Sequence, residues 1–320
     1  MSIIAVVLPC CDAGMKLQIS EKAAALDCEV SFFDTEKEHL DELSRAEIIF
    51  GDAPVTASVS QRLRWICLPW AGVSPYCAPG ALASDRILLT NSSGAYGDTV
   101  AEHAIMAALM LLRRMPAYQE AASRHEWMEP LAQGTLYGCR TVILGAGDIG
   151  RSIASRMRPF HPAGIAAVNR SGRSDSPAFD TVLPVADLDR ILSDTELLFS
   201  TLPETRDTYH LIGARQLAEM PRNSCLVNVG RAGAIDYDAL CDALDAGQLA
   251  GAFLDVFAQE PLPPDSRLWT TKNLLLTPHV AGTLTTRCVR EKITALFCEN
   301  LERYRRGQTL KNIVDRERGY

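Results

Sequence analysis

The segment Gly145-Ala146-Gly147-Asp148-Ile149-Gly150 constrains this chain more than any other. It follows directly on an apolar run at 141–144 and opens a helical pattern from Ile149 to Met157. G-x-G-x-x-G alone is weak evidence. Between a strand and a helix it is the cradle of a dinucleotide's diphosphate. Gly145 permits the tight turn, Gly147 lets backbone approach the phosphates, and Gly150 allows close helix–sheet packing. Asp148 and Ile149 start the helix, whose N-terminus adds partial positive charge.

Short apolar runs alternate with helical patterns on both sides of this motif. Strands are expected at 3–8, 48–50, 65–68 and 88–90, and then at 141–144, 165–169, 197–200, 225–228, 251–254 and 274–276. That alternation specifies an α/β chain with parallel sheets. A long helix is expected over 100–117, with Ala101, Ala104, Ile105, Ala108, Leu109 and Leu112 on one face and Asp98 or Thr99 as N-cap. From about Thr283 the pattern is helical again, through Ile293, Leu296, Phe297 and Leu301.

The glycine motif arrives only after a complete first α/β region. The long helix therefore reads as a crossover into a second domain, and the C-terminal helix as a return to the first. The expected fold is two doubly wound parallel-sheet domains with a cleft between. A flavodoxin-like substrate domain takes 1–97 and 288–320, and a Rossmann-type cofactor domain takes 98–287. A closing cleft would exclude water from hydride transfer.

Composition bounds the function classes. With 320 residues, the chain has room for two ordinary domains. A net charge of −7 argues against a nucleic-acid partner, which selects a basic face. The 10 cysteines are scattered, several in apolar runs, with no C-x-x-C. They read as reduced thiols of a cytoplasmic protein, and neither a zinc site nor a redox pair is signalled. The apolar start reads as a buried first strand rather than a signal peptide, and no apolar run is long enough to span a membrane.

The strand after the glycine motif ends in Asn169-Arg170-Ser171-Gly172-Arg173. An NAD site wants an acid here for the ribose hydroxyls. Asn169, Arg170, Ser171 and Arg173 instead suit a 2′-phosphate, so NADP(H) is the expected cofactor, with NAD(H) as the alternative.

Three further residues sit where strands end. Arg231 follows the 225–228 run within Asn228-Val229-Gly230-Arg231, and its planar fork suits a carboxylate and an adjacent carbonyl. His279, in Leu276-Thr277-Pro278-His279, suits a general acid that protonates a ketone oxygen as it is reduced. Glu260, in Asp255-Val256-Phe257-Ala258-Gln259-Glu260-Pro261, suits the carboxylate that fixes the imidazole tautomer. His39, His125, His161 and His210 read as structural. His103 and Glu102 read as packing or hydrogen-bonding residues of a domain interface. No G-x-S-x-G occurs, so a serine triad is unsupported.

These segments, in this order and spacing over about residues 65–315, resemble the D-isomer-specific 2-hydroxyacid dehydrogenase family. The stretches 94–103, 202–208, 228–236, 251–263 and 277–282 carry the resemblance. It implies Arg231, Glu260 and His279 as the catalytic set. It implies that the backbone of Trp70, Ala71, Gly72 and Val73 holds the substrate carboxylate together with Arg231. It adds Leu202, Pro203, Thr208, Val229, Gly230, Asp255, His279 and Gly282 to the cofactor site. It also implies a homodimer through the cofactor domains, with Trp127 near that contact or else an ordinary core or surface residue.

Glu260 stands where formate dehydrogenases carry glutamine, which disfavours formate. No segment up to Tyr320 resembles the regulatory domain appended to many phosphoglycerate dehydrogenases, so that activity is not the expected one. The Asn169-Arg170-Ser171 pattern resembles the NADPH-dependent glyoxylate/hydroxypyruvate reductases. The expected reaction is thus NADP(H)-dependent reduction of a small 2-keto acid, such as glyoxylate or hydroxypyruvate, to the D-2-hydroxy acid. The alternatives are an NAD-dependent dehydrogenase of a bulkier acid (3-phosphoglycerate or a branched 2-keto acid) and a dinucleotide-sensing scaffold. No metal site is expected.

Overall fold

The apolar runs form parallel strands in two separate sheets. The computed structural model describes residues 2–319. The chain divides into two units, one running to Tyr96 and resuming at Thr283, the other spanning Gly97–Gly282. The chain therefore passes between units at 96/97 and 282/283, against 97/98 and 287/288 as read from sequence.

In the first unit, β1 (Ser2–Val7), β2 (Cys28–Phe33), β3 (Ile48–Gly51), β4 (Trp65–Cys67) and β5 (Leu88–Thr90) form a sheet in the order β2-β1-β3-β4-β5. That is the flavodoxin-like winding. The C-terminal helix Arg287–Arg305 belongs to this unit. Its Phe297 stacks on Phe50 at 4.4 Å and on Trp65 at 5.5 Å between ring centroids. All three rings are fully buried, each stabilising the unit by about 1.5–3 kcal/mol relative to exposure.

In the second unit, β6 (Arg140–Leu144), β7 (Gly164–Asn169), β8 (Thr181–Pro184), β9 (Leu197–Ser200), β10 (Cys225–Asn228), β11 (Gly251–Leu254) and β12 (Leu274–Leu276) pair in the order β12-β11-β10-β9-β6-β7-β8. Every pairing is parallel. The order reverses between β6 and β9, and the crevice beyond such a switch point is where doubly wound sheets bind ligands.

Sequence reading missed β2 and β8. Both are edge strands; Glu29 and Ser31 interrupt the apolar residues of β2, and β8 is a four-residue strand ending in Pro184, a residue that argues against a strand. The long helix also differs from expectation. It spans Gly97–Leu112, and a second helix spans Met115–Ser123. Between them Arg114 adopts a left-handed φ of 57°. Pro116 explains the break, because in an unbroken helix its ring would clash with the carbonyl of Leu112. The first helix begins at Gly97, which places Asp98 in its first turn rather than at the cap, and Asp98 pairs with Arg156 at 2.6 Å.

Candidate active site

All six loops that carry the expected cofactor and catalytic residues leave the carboxyl ends of strands in the seven-stranded sheet. The glycine turn follows β6. Gly145 has φ +101°, and a Cβ there would meet Thr201 Oγ1 at 2.5 Å. Gly150 has no room for a Cβ, which would press on the Gly145 carbonyl. Gly147 differs, since a Cβ added there meets nothing within 4 Å. It caps the helix Asp148–Met157 without a side-chain hydrogen bond, so the first-turn N–H groups keep their donors for a ligand. Open space in front of Gly147 and uncapped amides behind it fit a diphosphate.

The loop after β7 is organised by Asn169. Its Nδ2 donates to Arg173 O at 2.8 Å, and its Oδ1 accepts from Gly172 N at 2.7 Å and Ser171 Oγ at 3.3 Å. Asn169 thus builds the loop that carries Arg170 and Arg173, both exposed. Arg173 has no ion pair among the described residues. After β9, Thr208 Oγ1 donates to Pro203 O at 2.7 Å and lies 3.0 Å from Thr205 Oγ1, which closes the segment beyond Leu202.

Arg231 follows β10. A Cβ on Gly230 would meet Leu202 N and O at 2.7 Å, so only glycine lets these two backbones touch. Buried Asn228 sets the loop: its Oδ1 accepts from Gly230 N at 3.1 Å and its Nδ2 donates to Arg231 O at 3.1 Å. Asn228 Nδ2 also donates to the hydroxyl of Tyr237, which in turn donates to Val256 O at 2.7 Å. Burial pushes the Tyr237 phenol up, which keeps it a neutral donor. The guanidinium of Arg231 donates to Gly230 O at 2.8 Å and forms no ion pair among the described residues. Asn228 and Tyr237 were not singled out as site residues by sequence. Nothing in the local pattern shows that their side chains would tie two loops together.

Glu260 and His279 come from the loops after β11 and β12. His279 Nδ1 lies 2.8 Å from Glu260 Oε2, while Glu260 Oε1 accepts from Phe257 N at 2.9 Å. Both carboxylate oxygens are therefore engaged, one holding the ring and one holding its own loop. The other imidazole nitrogen, Nε2, has no protein partner among the described residues and can face a substrate. Beside this pair lies a pocket of about 540 Å³ walled by Phe257, Leu262, Trp269 and Leu276. Such an apolar wall strengthens electrostatic contacts by keeping water away.

Asp255 anchors the histidine loop. It is 1% exposed and accepts from Thr277 Oγ1 at 2.6 Å, Val280 N at 2.9 Å and Ala281 N at 3.0 Å. Between these donors, His279 holds a left-handed φ of 54°. His103 joins the network from the helix Gly97–Leu112, its Nε2 3.2 Å from Thr277 Oγ1. Burial lowers its pKa, against the opposing pull of the Asp255 charge. Sequence reading assigned His103 to a domain interface. Its observed hydrogen bond lies inside the second unit and supports the histidine loop.

Trp70, Ala71, Gly72 and Val73 follow β4 in the first unit. Asn91 Nδ2 donates to Ala71 O at 2.9 Å and Ser92 N donates to Trp70 O at 3.0 Å. The N–H groups of Ala71, Gly72 and Val73 donate to no protein acceptor among the described residues. With carbonyls tied back and amides left over, the loop has the makings of an anion nest.

A doubly wound nucleotide-binding unit with an arginine, a glutamate and a histidine on successive strand ends defines an oxidoreductase class. A sequence model of the D-isomer specific 2-hydroxyacid dehydrogenase NAD binding domain matches residues 105–281, and the chain belongs to that family. It is 34% identical over 224 residues to glyoxylate/hydroxypyruvate reductase A of Klebsiella pneumoniae, covering 70% of each chain. Among solved structures it is similar to a D-isomer specific 2-hydroxyacid dehydrogenase family protein from Aeromonas salmonicida, with TM-score 0.87 and 29% identity over 98% of this chain and 99% of that one. It is also similar to an NADPH-dependent glyoxylate/hydroxypyruvate reductase from Sinorhizobium meliloti, in complex with NADP and sulfate, with TM-score 0.80 and 28% identity over the whole of both chains. No helix among the described residues is long and apolar enough to cross a membrane, and no cluster there suits a metal ion.

Proposed function

We propose that this protein reduces a small 2-keto acid, glyoxylate or hydroxypyruvate, to the D-2-hydroxy acid with NADPH. The observation that carries the reading is the 2.8 Å His279–Glu260 pair, with its second ring nitrogen unengaged, on the same sheet edge as Arg231. The glycine turn at 145–150 and the helix behind it would hold the dinucleotide, which would supply hydride chemistry there. Arg231, with its fork free of carboxylate partners, binds the substrate carboxylate and polarises the carbonyl. In the first unit, the unengaged amides of residues 71–73 suit a carboxylate on their own terms. His279 delivers a proton from Nε2 to the carbonyl oxygen, and Glu260 holds Nδ1–H so that the ring presents the correct tautomer.

The glycine turn and its uncapped helix support the dinucleotide. The exposed Arg170 and Arg173, carried on a loop that Asn169 ties into shape, support a 2′-phosphate. The NADP bound to the Sinorhizobium relative is in keeping with that choice. We assign the dinucleotide-binding role to the second unit, the substrate-binding role to the first, and a homodimer to the second unit. Trp127 is 97% exposed in this structure, an exposure that suits a partner chain and excludes a core role. We place the enzyme in the cytoplasm, where its free cysteines stay reduced.

The test is steady-state reduction of glyoxylate, hydroxypyruvate, pyruvate and a branched 2-keto acid with NADPH and NADH side by side. The proposal expects the small acids and NADPH to win. Preference for NADH would make Arg170 and Arg173 solvated loop residues, and no turnover with any acid would refute the reductase reading.

A further inference from the structure

We propose a second anion site, on the first unit at the amino ends of its strands, for a small multivalent oxyanion such as a phosphate monoester or a di- or tricarboxylate. The site is a pocket of about 500 Å³ lined by Ile3, Arg45, Glu47, Arg62, Arg64 and Tyr304. The carboxylate-binding loop 70–73 follows β4 at its carboxyl end, whereas Arg64 immediately precedes β4. The two lie at opposite ends of one strand.

The register of the sheet builds this pocket. Glu47 N donates to Ile3 O at 2.9 Å and Arg64 N donates to Glu47 O at 2.8 Å, so the approaches to β1, β3 and β4 lie side by side. Adjacent strands stand about 4.8 Å apart, which brings residues 3, 47 and 64 into one row. Before β4 the side chains alternate: Leu63 and Trp65 are fully buried, while Arg62 and Arg64 are exposed. That alternation turns both guanidiniums away from the core. Arg45 enters from the turn before β3, and Tyr304 from the last turn of the C-terminal helix.

Charge distinguishes the pocket from an ordinary basic surface. Most arginines elsewhere in this acidic chain meet a carboxylate. Arg45, Arg62 and Arg64 form no ion pair among the described residues. Arg64 spends one terminal nitrogen on the carbonyls of Gln61 and Leu63. Glu47 is the one acid in the lining, and it is occupied with the Tyr304 hydroxyl, which donates to Glu47 Oε1 at 2.9 Å. Arg305, which follows Tyr304 in the chain, is held to Ser2 Oγ at 2.9 Å. Three guanidiniums against one engaged carboxylate leave a net positive concavity, and forked donors favour ligands with two or more anionic oxygens.

The experiment titrates the NADP⁺-saturated protein with inorganic phosphate and with citrate by calorimetry, at constant ionic strength set with chloride. The same titrations are run on Arg45→Gln/Arg62→Gln, and on Arg62→Lys as the charge-keeping variant. Neither arginine belongs to the proposed catalytic machinery, so glyoxylate reduction without added anion should be unchanged. The expected result is a saturable site that weakens by about tenfold or more in the double glutamine variant and less in Arg62→Lys. The stronger of the two probes identifies the ligand as phosphorylated or polycarboxylic. Equal binding by wild type and double variant, or no binding to wild type by either anion up to about 10 mM, overturns the proposal.

Discussion

Replacing Asp255 with Asn tests how the histidine loop is held. In the native protein Oδ1 accepts from Thr277 Oγ1 and Val280 N, and Oδ2 accepts from Ala281 N. An asparagine that keeps its oxygen at the first position turns its NH₂ toward the Ala281 N–H, donor against donor. Ala281 is only 6% exposed, so water cannot fully replace the lost acceptor. Losing one charge-assisted bond and stranding one buried donor costs about 2 kcal/mol. That cost falls on the segment in which His279 keeps its left-handed backbone, so the loop opens about thirtyfold more often. Hydrogen exchange read by mass spectrometry on a peptide spanning 277–282 measures this directly, with β10 as the internal reference. The variant should exchange faster in that peptide alone and lose turnover with it. Unchanged protection of 277–282, or equal loss in β10, would show that Asp255 does not anchor the loop.

Other perturbations separate binding from folding. Gly147→Val should leave thermal stability near wild type, because its Cβ meets only open space, yet abolish NADPH binding by fluorescence. Gly230→Ala should instead lower the melting temperature, because the new Cβ lands on the backbone of Leu202. Arg231→Ala should cut kcat/KM by about a hundredfold or more, and Arg231→Lys should restore little, since an ammonium cannot offer the fork. His279→Gln should cut kcat by about 10²–10⁴-fold while NADPH affinity is kept, measured by fluorescence titration. Arg170→Ala/Arg173→Ala should weaken NADPH by about tenfold without weakening NADH, read from the two KM values.

The parts legible in the sequence share one property. The central strands β6, β9, β10 and β11 are buried on both faces, so they appear as unbroken apolar runs, and the residues that follow them sit at the ligand edge by topology alone. The glycine turn, Arg231 and Glu260 could be placed that way, and His279 follows β12, an edge strand whose three leucines still form an apolar run. The edge strands β2 and β8 could not, because Glu29 and Ser31 break the apolar run of β2 and Pro184 argues against a strand at β8. The helix break at Arg114 was readable from Pro116, but the surrounding helical periodicity masked it. The supporting network was hidden for a different reason. Asn228, Tyr237, Asp255 and His103 meet across loops from separate strands and a helix, and no local spacing reports a contact between residues as distant as 103 and 277.

The central claim is that Arg231, Glu260 and His279 protonate and orient a 2-keto acid for reduction to the D-product. Incubation with hydroxypyruvate and NADPH, followed by chiral analysis of the glycerate formed, tests it most directly. The account predicts D-glycerate alone, in amount equal to the NADPH consumed. L-glycerate, a racemic product, or NADPH left unconsumed would contradict it.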